Sequence, residues 1–149
     1  MSVGKIDAEL RAEEDRRVAQ RRAHRATWPA VKETARQIAG AVRAEIASNV
    51  ITRGFRVKLK LPLYRKWPQV RYSSNPSTHH PAQIVVIGPK QFRFYVQVYV
   101  AGGNPPYVGC RYYSLTTDTG DVSGADAAKK VVIAFRNEVM SHERMRGRR

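Results

Sequence analysis

QFRFYVQVYV, residues 91–100, alternates without a break: Phe92, Phe94, Val96, Val98 and Val100 fall on one side of an extended chain, Arg93, Tyr95, Gln97 and Tyr99 on the other. Successive side chains of a strand point to opposite faces, so this period of two predicts a half-buried strand whose phenylalanines and valines meet the core. The neighbouring segments repeat the pattern. Tyr107 to Leu115 sets Val108, Cys110 and Tyr112 against Tyr107, Arg111 and Tyr113. Phe55 to Leu61 sets Phe55, Val57, Leu59 and Leu61 against Arg56, Lys58 and Lys60. Between them, Ala82 to Ile87 (AQIVVI) is a continuous apolar run, the expectation for a strand buried on both sides. Gly88-Pro89-Lys90 turns the chain into the opening strand, and Gln69 to Tyr72 reads as a short return strand presenting Arg71.

The flanks have helical spacing instead. Val31, Ala35, Ile38, Val42 and Ile46 recur at steps of three and four, and Ala128, Val131, Val132, Phe135 and Val139 form one apolar stripe after a Ser123-x-x-Asp126 capping pattern. Lys5 to Arg25 is rich in helix formers but poor in apolar residues, so it is expected to project as a solvated helix. Trp28-Pro29 is expected to end that helix, with Thr27 capping the next. These elements predict an α+β fold: a two-layer sandwich, with a mainly antiparallel sheet of about 4–5 strands covered on one face by two helices. The expected division is an exposed N-terminal helical arm over residues 1–26, a single α+β domain over 27–143, and a basic, unfolded tail over 144–149.

Charge points to partners. The chain has a formal net charge of +15, and from Ile46 to Thr117 it contains no Asp or Glu at all. That stretch carries Arg53, Arg56, Lys58, Lys60, Arg65, Lys66, Arg71, Lys90, Arg93 and Arg111. Strand parity would gather most of these cations with three tyrosines on the sheet face opposite the helices. Such a surface can neutralise phosphates with release of counterions, and tyrosine rings can stack on unpaired bases for about 1–3 kcal/mol each. The residues expected to contact nucleic acid are Arg56, Lys58, Lys60, Arg65, Lys66, Arg71, Arg93, Tyr95, Tyr99, Arg111 and Tyr113. The expected partner is DNA or RNA, bound without catalysis; an acidic protein surface is the alternative occupant of the same face.

Two other functions fit parts of the chain. A sparse helical arm and a basic tail suit a structural subunit of a larger assembly, such as a virion head–tail or tail component, or a homo-oligomer formed through the N-terminal helix. His79-His80, near arginines, would serve a small ribonuclease, although a solvated loop explains them more simply. Asp118-Thr119-Gly120 matches the triplet of aspartic proteases, but it lies among turn formers. No catalytic residue, metal ligand set or cofactor is expected: Cys110 is the sole cysteine, and no phosphate-binding loop, dinucleotide fingerprint or zinc spacing occurs. No apolar run approaches the roughly 20 residues needed to span a bilayer, so a membrane partner is not expected. The expected location is the cytoplasm, or a particle assembled there.

Gly88-Pro89, then Phe94-Tyr95-Val96-Gln97-Val98, then Ala128-Lys129-Lys130 opening the last helix resemble the strand and helix signals of the double-stranded-RNA-binding domain. That resemblance implies a helix, three strands and a helix, with contacts to duplex RNA. Two features depart from it. An extra pair of predicted strands (residues 55–72) precedes the Gly-Pro turn, and the family's dense lysine cluster is reduced to Lys129 and Lys130.

Overall fold

The computed structural model describes residues 3–61, 82–102, 105–114, 120–121 and 126–147. Helix α1 spans Val3–Ala47, 45 residues with Pro29 inside it. The expected break at Trp28-Pro29 is therefore absent. Thr27 does not cap a new helix; its Oγ1 donates to the Ala23 carbonyl, 2.9 Å away, and so supports the turn before it. A proline in a helix interior removes one hydrogen bond and crowds the carbonyl four residues back, a loss of about 3 kcal/mol. Burial on either side holds the turn closed: Trp28 is 2% exposed, and Val31, Ala35, Ile38 and Val42 are fully buried along one face.

Ser48 and Asn49 end the helix as their turn propensity predicts. The Asn49 side chain accepts from the Ile51 N–H at 3.0 Å and starts a single 3₁₀ turn, Val50–Thr52. Buried Thr52 keeps its hydroxyl 2.9 Å from the Ile46 carbonyl, and Gly54 takes a left-handed φ of 92° before the chain enters the sheet.

The sheet is an antiparallel meander in which spatial order equals sequence order. Its strands are β1 (Arg56–Lys60), β2 (Ala82–Ile87), β3 (Arg93–Ala101), β4 (Tyr107–Ser114) and the two-residue β5 (Gly120–Asp121). Helix α2 (Ala127–Gly147) packs beside α1 on one face. This is the expected α+β two-layer arrangement. Ala82, Ile84 and Val86 of β2, Phe94, Val96 and Val98 of β3, and Cys110 of β4 form the buried layer beneath Val31, Ile38 and Val42 of α1 and Val131 and Phe135 of α2. Between the helices, Arg136 donates from Nε to Glu45 Oε1 at 2.8 Å and from a terminal nitrogen to Oε2 at 3.1 Å. The guanidinium holds the Glu45 carboxyl below its ordinary pKa.

Four details depart from the sequence reading. β2 is not buried on both sides, since Gln83, Val85 and Ile87 are half-exposed on the face away from the helices. Four β-branched residues in succession, Ile84 to Ile87, disguise the alternation. β5 pairs with β4 within residues read as a polar turn. Helix α2 runs on through Arg144, Met145 and Arg146 to Gly147, so those residues are not an unfolded tail. The strand β3 starts at Arg93, because Gln91 belongs to the turn.

That turn is strained. Phe92 N–H donates to the Pro89 carbonyl at 3.3 Å, while Gly88 N–H donates to the Phe92 carbonyl at 3.1 Å, so two residues face one in a small bulge. Lys90 and Gln91 between them have φ of 57° and 66°, the pair of left-handed residues that a type I′ turn demands and that Asn-Gly adopts most readily. Replacing Lys90 with Asn and Gln91 with Gly together is expected to stabilise the fold by about 1 kcal/mol, read as a higher urea midpoint at unchanged slope. A lower midpoint would contradict the left-handed geometry. The contact of His142 Nε2 with the Lys90 carbonyl, 3.2 Å, involves only backbone at residue 90 and survives the change.

Candidate nucleic-acid interface

The face of the sheet turned away from α1 and α2 is built from the odd-numbered positions of β2, β3 and β4 and the even-numbered positions of β1. Register arranges it in rows across the strands. Arg56 aligns with Ile87 and Arg93; Lys58 with Val85, Tyr95 and Tyr113; Lys60 with Gln83, Gln97, Arg111 and Asp121. Nine of the residues singled out from parity thus share one surface: Arg56, Lys58, Lys60, Arg93, Tyr95, Gln97, Tyr99, Arg111 and Tyr113. Arg65, Lys66 and Arg71 lie outside the described residues, as do His79, His80, Asp118, Ser123 and the expected strand Gln69 to Tyr72. Cys110 is on the opposite side, buried in the core.

The cations of this surface are held differently from one another. Arg56, Lys58 and Lys60 are exposed at alternate positions of β1, a repeat of about 6.6 Å. The Arg93 guanidinium folds back and donates to the carbonyls of Phe92 at 2.7 Å and Gly88 at 3.4 Å, which fixes it at the turn while leaving its charge uncompensated by either partner. Arg111 donates from Nε to Gln97 Oε1 at 2.6 Å, and its guanidinium lies 5.9 Å from the centre of the Tyr99 ring. Among the described residues, the ion pairs Arg17–Glu13 and Arg136–Glu45 both belong to the helical layer.

The tyrosines differ in what they can offer. Tyr95 and Tyr113 stack on one another across β3 and β4, with ring centres 4.9 Å apart and planes 15° from parallel. Two rings lying flat side by side could not come so close, so the pair is offset-stacked, and one face of each is covered by the other. Tyr99 lies across β4 over Gly109. A Cβ on that glycine would meet the ring at 2.5 Å, so only glycine admits the ring there. Val85 and Ile87, which parity of an apolar run did not single out, place half-exposed aliphatic groups between the β1 cations and the tyrosines.

The charges of this face are of one sign on its four longer strands. Between β1 and β4 its described positions include no carboxylate, whereas Asp121 of β5 stands opposite Arg111 in the ladder. The acid-free stretch ends at Thr117, and the meander sets the backbone of Asp121 next to Arg111 in the ladder. No signal in the linear pattern foretold this, because a two-residue strand has no period to read. A concavity of about 370 Å³ lies elsewhere, between the end of α1 and α2, with Phe135 and Val139 among its lining and the Glu45–Arg136 pair at its rim. No protein family, curated protein or solved structure matches the chain.

Proposed function

We propose that this protein binds nucleic acid without chemical turnover, gripping phosphates along the β1 side of the helix-free face. One observation carries the reading: Arg56, Lys58 and Lys60 project at alternate positions into solvent, with Arg93 two strands away in the row of Arg56 and no carboxylate on that face among the described residues of β1 to β4. Point charges at this repeat suit a phosphate backbone, which is read through charge rather than sequence. Tyr99 over Gly109, next to Arg111, adds one aromatic surface that an unpaired base can cover. The paired Tyr95 and Tyr113 contribute only their outer faces.

Fluorescence anisotropy with labelled single-stranded and duplex oligonucleotides tests this. Affinity is expected to fall steeply with salt. Lys58→Glu with Lys60→Glu should flatten the plot of log affinity against log salt by about 2 for duplex, since each phosphate no longer neutralised takes away about 0.9 of slope. The weakening should be the same for all sequences. Absence of any complex at micromolar protein and about 50 mM salt would rule the proposal out.

A further inference from the structure

The N-terminal part of α1 extends past the sheet. Residues 4–22 are exposed apart from half-buried Val18, and burial begins at His24 and Trp28. At 1.5 Å per residue this is a rod of about 30 Å with no layer beneath it among the described residues. Its side chains are not random in placement. The stripe that packs on the sheet through Val31 and Trp28 continues along the same side of the helix through buried His24 to Arg17, Glu13, Leu10 and Ile6, in steps of three and four or their sum. Ile6 is 49% and Leu10 59% exposed on that side.

Charge along the rod is split in two. Asp7, Glu9, Glu13, Glu14 and Asp15 accompany a single base, Arg11, over residues 7–15. Residues 16–25 then hold Arg16, Arg17, Arg21, Arg22 and Arg25 with no acid. An acidic tip thus joins a basic stem. Two such rods laid parallel would set acid on acid and arginine on arginine. Laid antiparallel about a two-fold axis near Asp15, they set each acidic half along the other's basic half, with Glu13 opposite Arg17 in the seam, a pair formed twice.

We propose that the projecting arm of α1 is a self-complementary docking surface whose occupant is the antiparallel arm of a second copy of this chain. The bond already seen between Arg17 and Glu13, 2.9 Å with both side chains half or more exposed, shows that these groups reach across this side of the helix. An exposed pair within one helix contributes little. It gains when a second helix screens it from water and covers Leu10 and Ile6. The basic sheet face of another copy is a poorer occupant, because the five stem arginines would be carried towards Arg56, Lys58 and Lys60. With little apolar surface in the arm, the dimer is weak and loosens as salt screens its charges. This inference does not depend on nucleic-acid binding.

Sedimentation velocity on the full chain, freed of nucleic acid, tests the pairing. At about 50 mM salt a monomer–dimer equilibrium is expected, with affinity at least about tenfold weaker at about 0.5 M, where the Debye length falls to about 4 Å. Reversing the tip (Glu9→Arg, Glu13→Arg, Glu14→Arg) should give a monomer, and so should reversing the stem (Arg16→Glu, Arg17→Glu, Arg21→Glu). Mixed in equal amounts, these two variants should form a heterodimer, since each then carries the charge the other lacks. Lys58→Glu with Lys60→Glu should leave the wild-type dimer unchanged. A wild-type chain that stays monomeric at low salt overturns the proposal. So does an oligomer that survives either one-sided reversal, a mixture that fails to associate, or a dimer lost on changing the sheet lysines. Circular dichroism confirms that each variant retains its helix content before it is scored.

Discussion

Phe135→Ala is expected to remove about 3–5 kcal/mol of folding stability, read from the shift in the guanidinium or urea midpoint. Phe135 is fully buried, and its ring touches three others edge-on: Phe55 at 6.2 Å and 79°, Phe92 at 6.0 Å and 82°, and Phe94 at 5.7 Å and 64° between ring centres and planes. These partners come from the residue before β1, the turn before β3, and β3 itself, so one side chain of α2 ties the helical layer to three separate places on the sheet. Phe55 is further confined by Gly88, where a Cβ would meet its ring at 2.8 Å, and by Phe92 at 5.0 Å. It therefore has little room to move into the cavity that alanine leaves. Domains of this size have about 5–15 kcal/mol in all, so the variant should be near its unfolding threshold at physiological temperature. A loss below about 1 kcal/mol would contradict the packing described.

Pro29→Ala is expected to act in the opposite direction, raising stability by about 1–3 kcal/mol. Pro29 is exposed, so its ring gives up no burial when replaced. Alanine returns the N–H that can bond the Arg25 carbonyl and takes away the ring that crowds it. Thr27 and Trp28 keep their contacts, since neither depends on the proline ring. The measurement separates two geometries. Had the chain been two helices joined at Trp28-Pro29, the proline would sit in a first turn where its missing N–H does no harm, and alanine would give no gain. A midpoint that stays put or falls would therefore favour the break over the continuous helix.

The contrast between Pro29 and the strands shows where a linear reading succeeds. β1, β3 and β4 were legible because one side of each is buried and the other is wet, and a period of two records that difference directly. The same parity located Arg56, Lys58, Lys60, Arg93 and Arg111 on one face. β2 misled because Ile84, Val85 and Val86 are all apolar, while only Ile84 and Val86 reach the core; the half-exposed Val85 is covered partly by its neighbours on the sheet. Pro29 misled because local propensity disfavours it by about 3 kcal/mol, yet the burial of Trp28 and Val31 next to it can offset that amount. Asp121 opposite Arg111, the stacking of Tyr95 on Tyr113 and the seat of Tyr99 on Gly109 depend on strand register and rotamer, which composition does not encode.

Among the described residues, β1 has one neighbour, β2, which makes it an edge of the sheet they form. A strand edge left open is a template on which a stray chain can zip, the first step of edge-to-edge aggregation. Arg56, Lys58 and Lys60 stand on that strand at every second position, so an approaching copy would have to bring its own three cations alongside them. The charges proposed to attract phosphate therefore also repel self-templating. Substituting them with neutral residues removes both effects together and risks a precipitate that looks like lost binding. Glutamate keeps the edge charged, and only it separates the two roles.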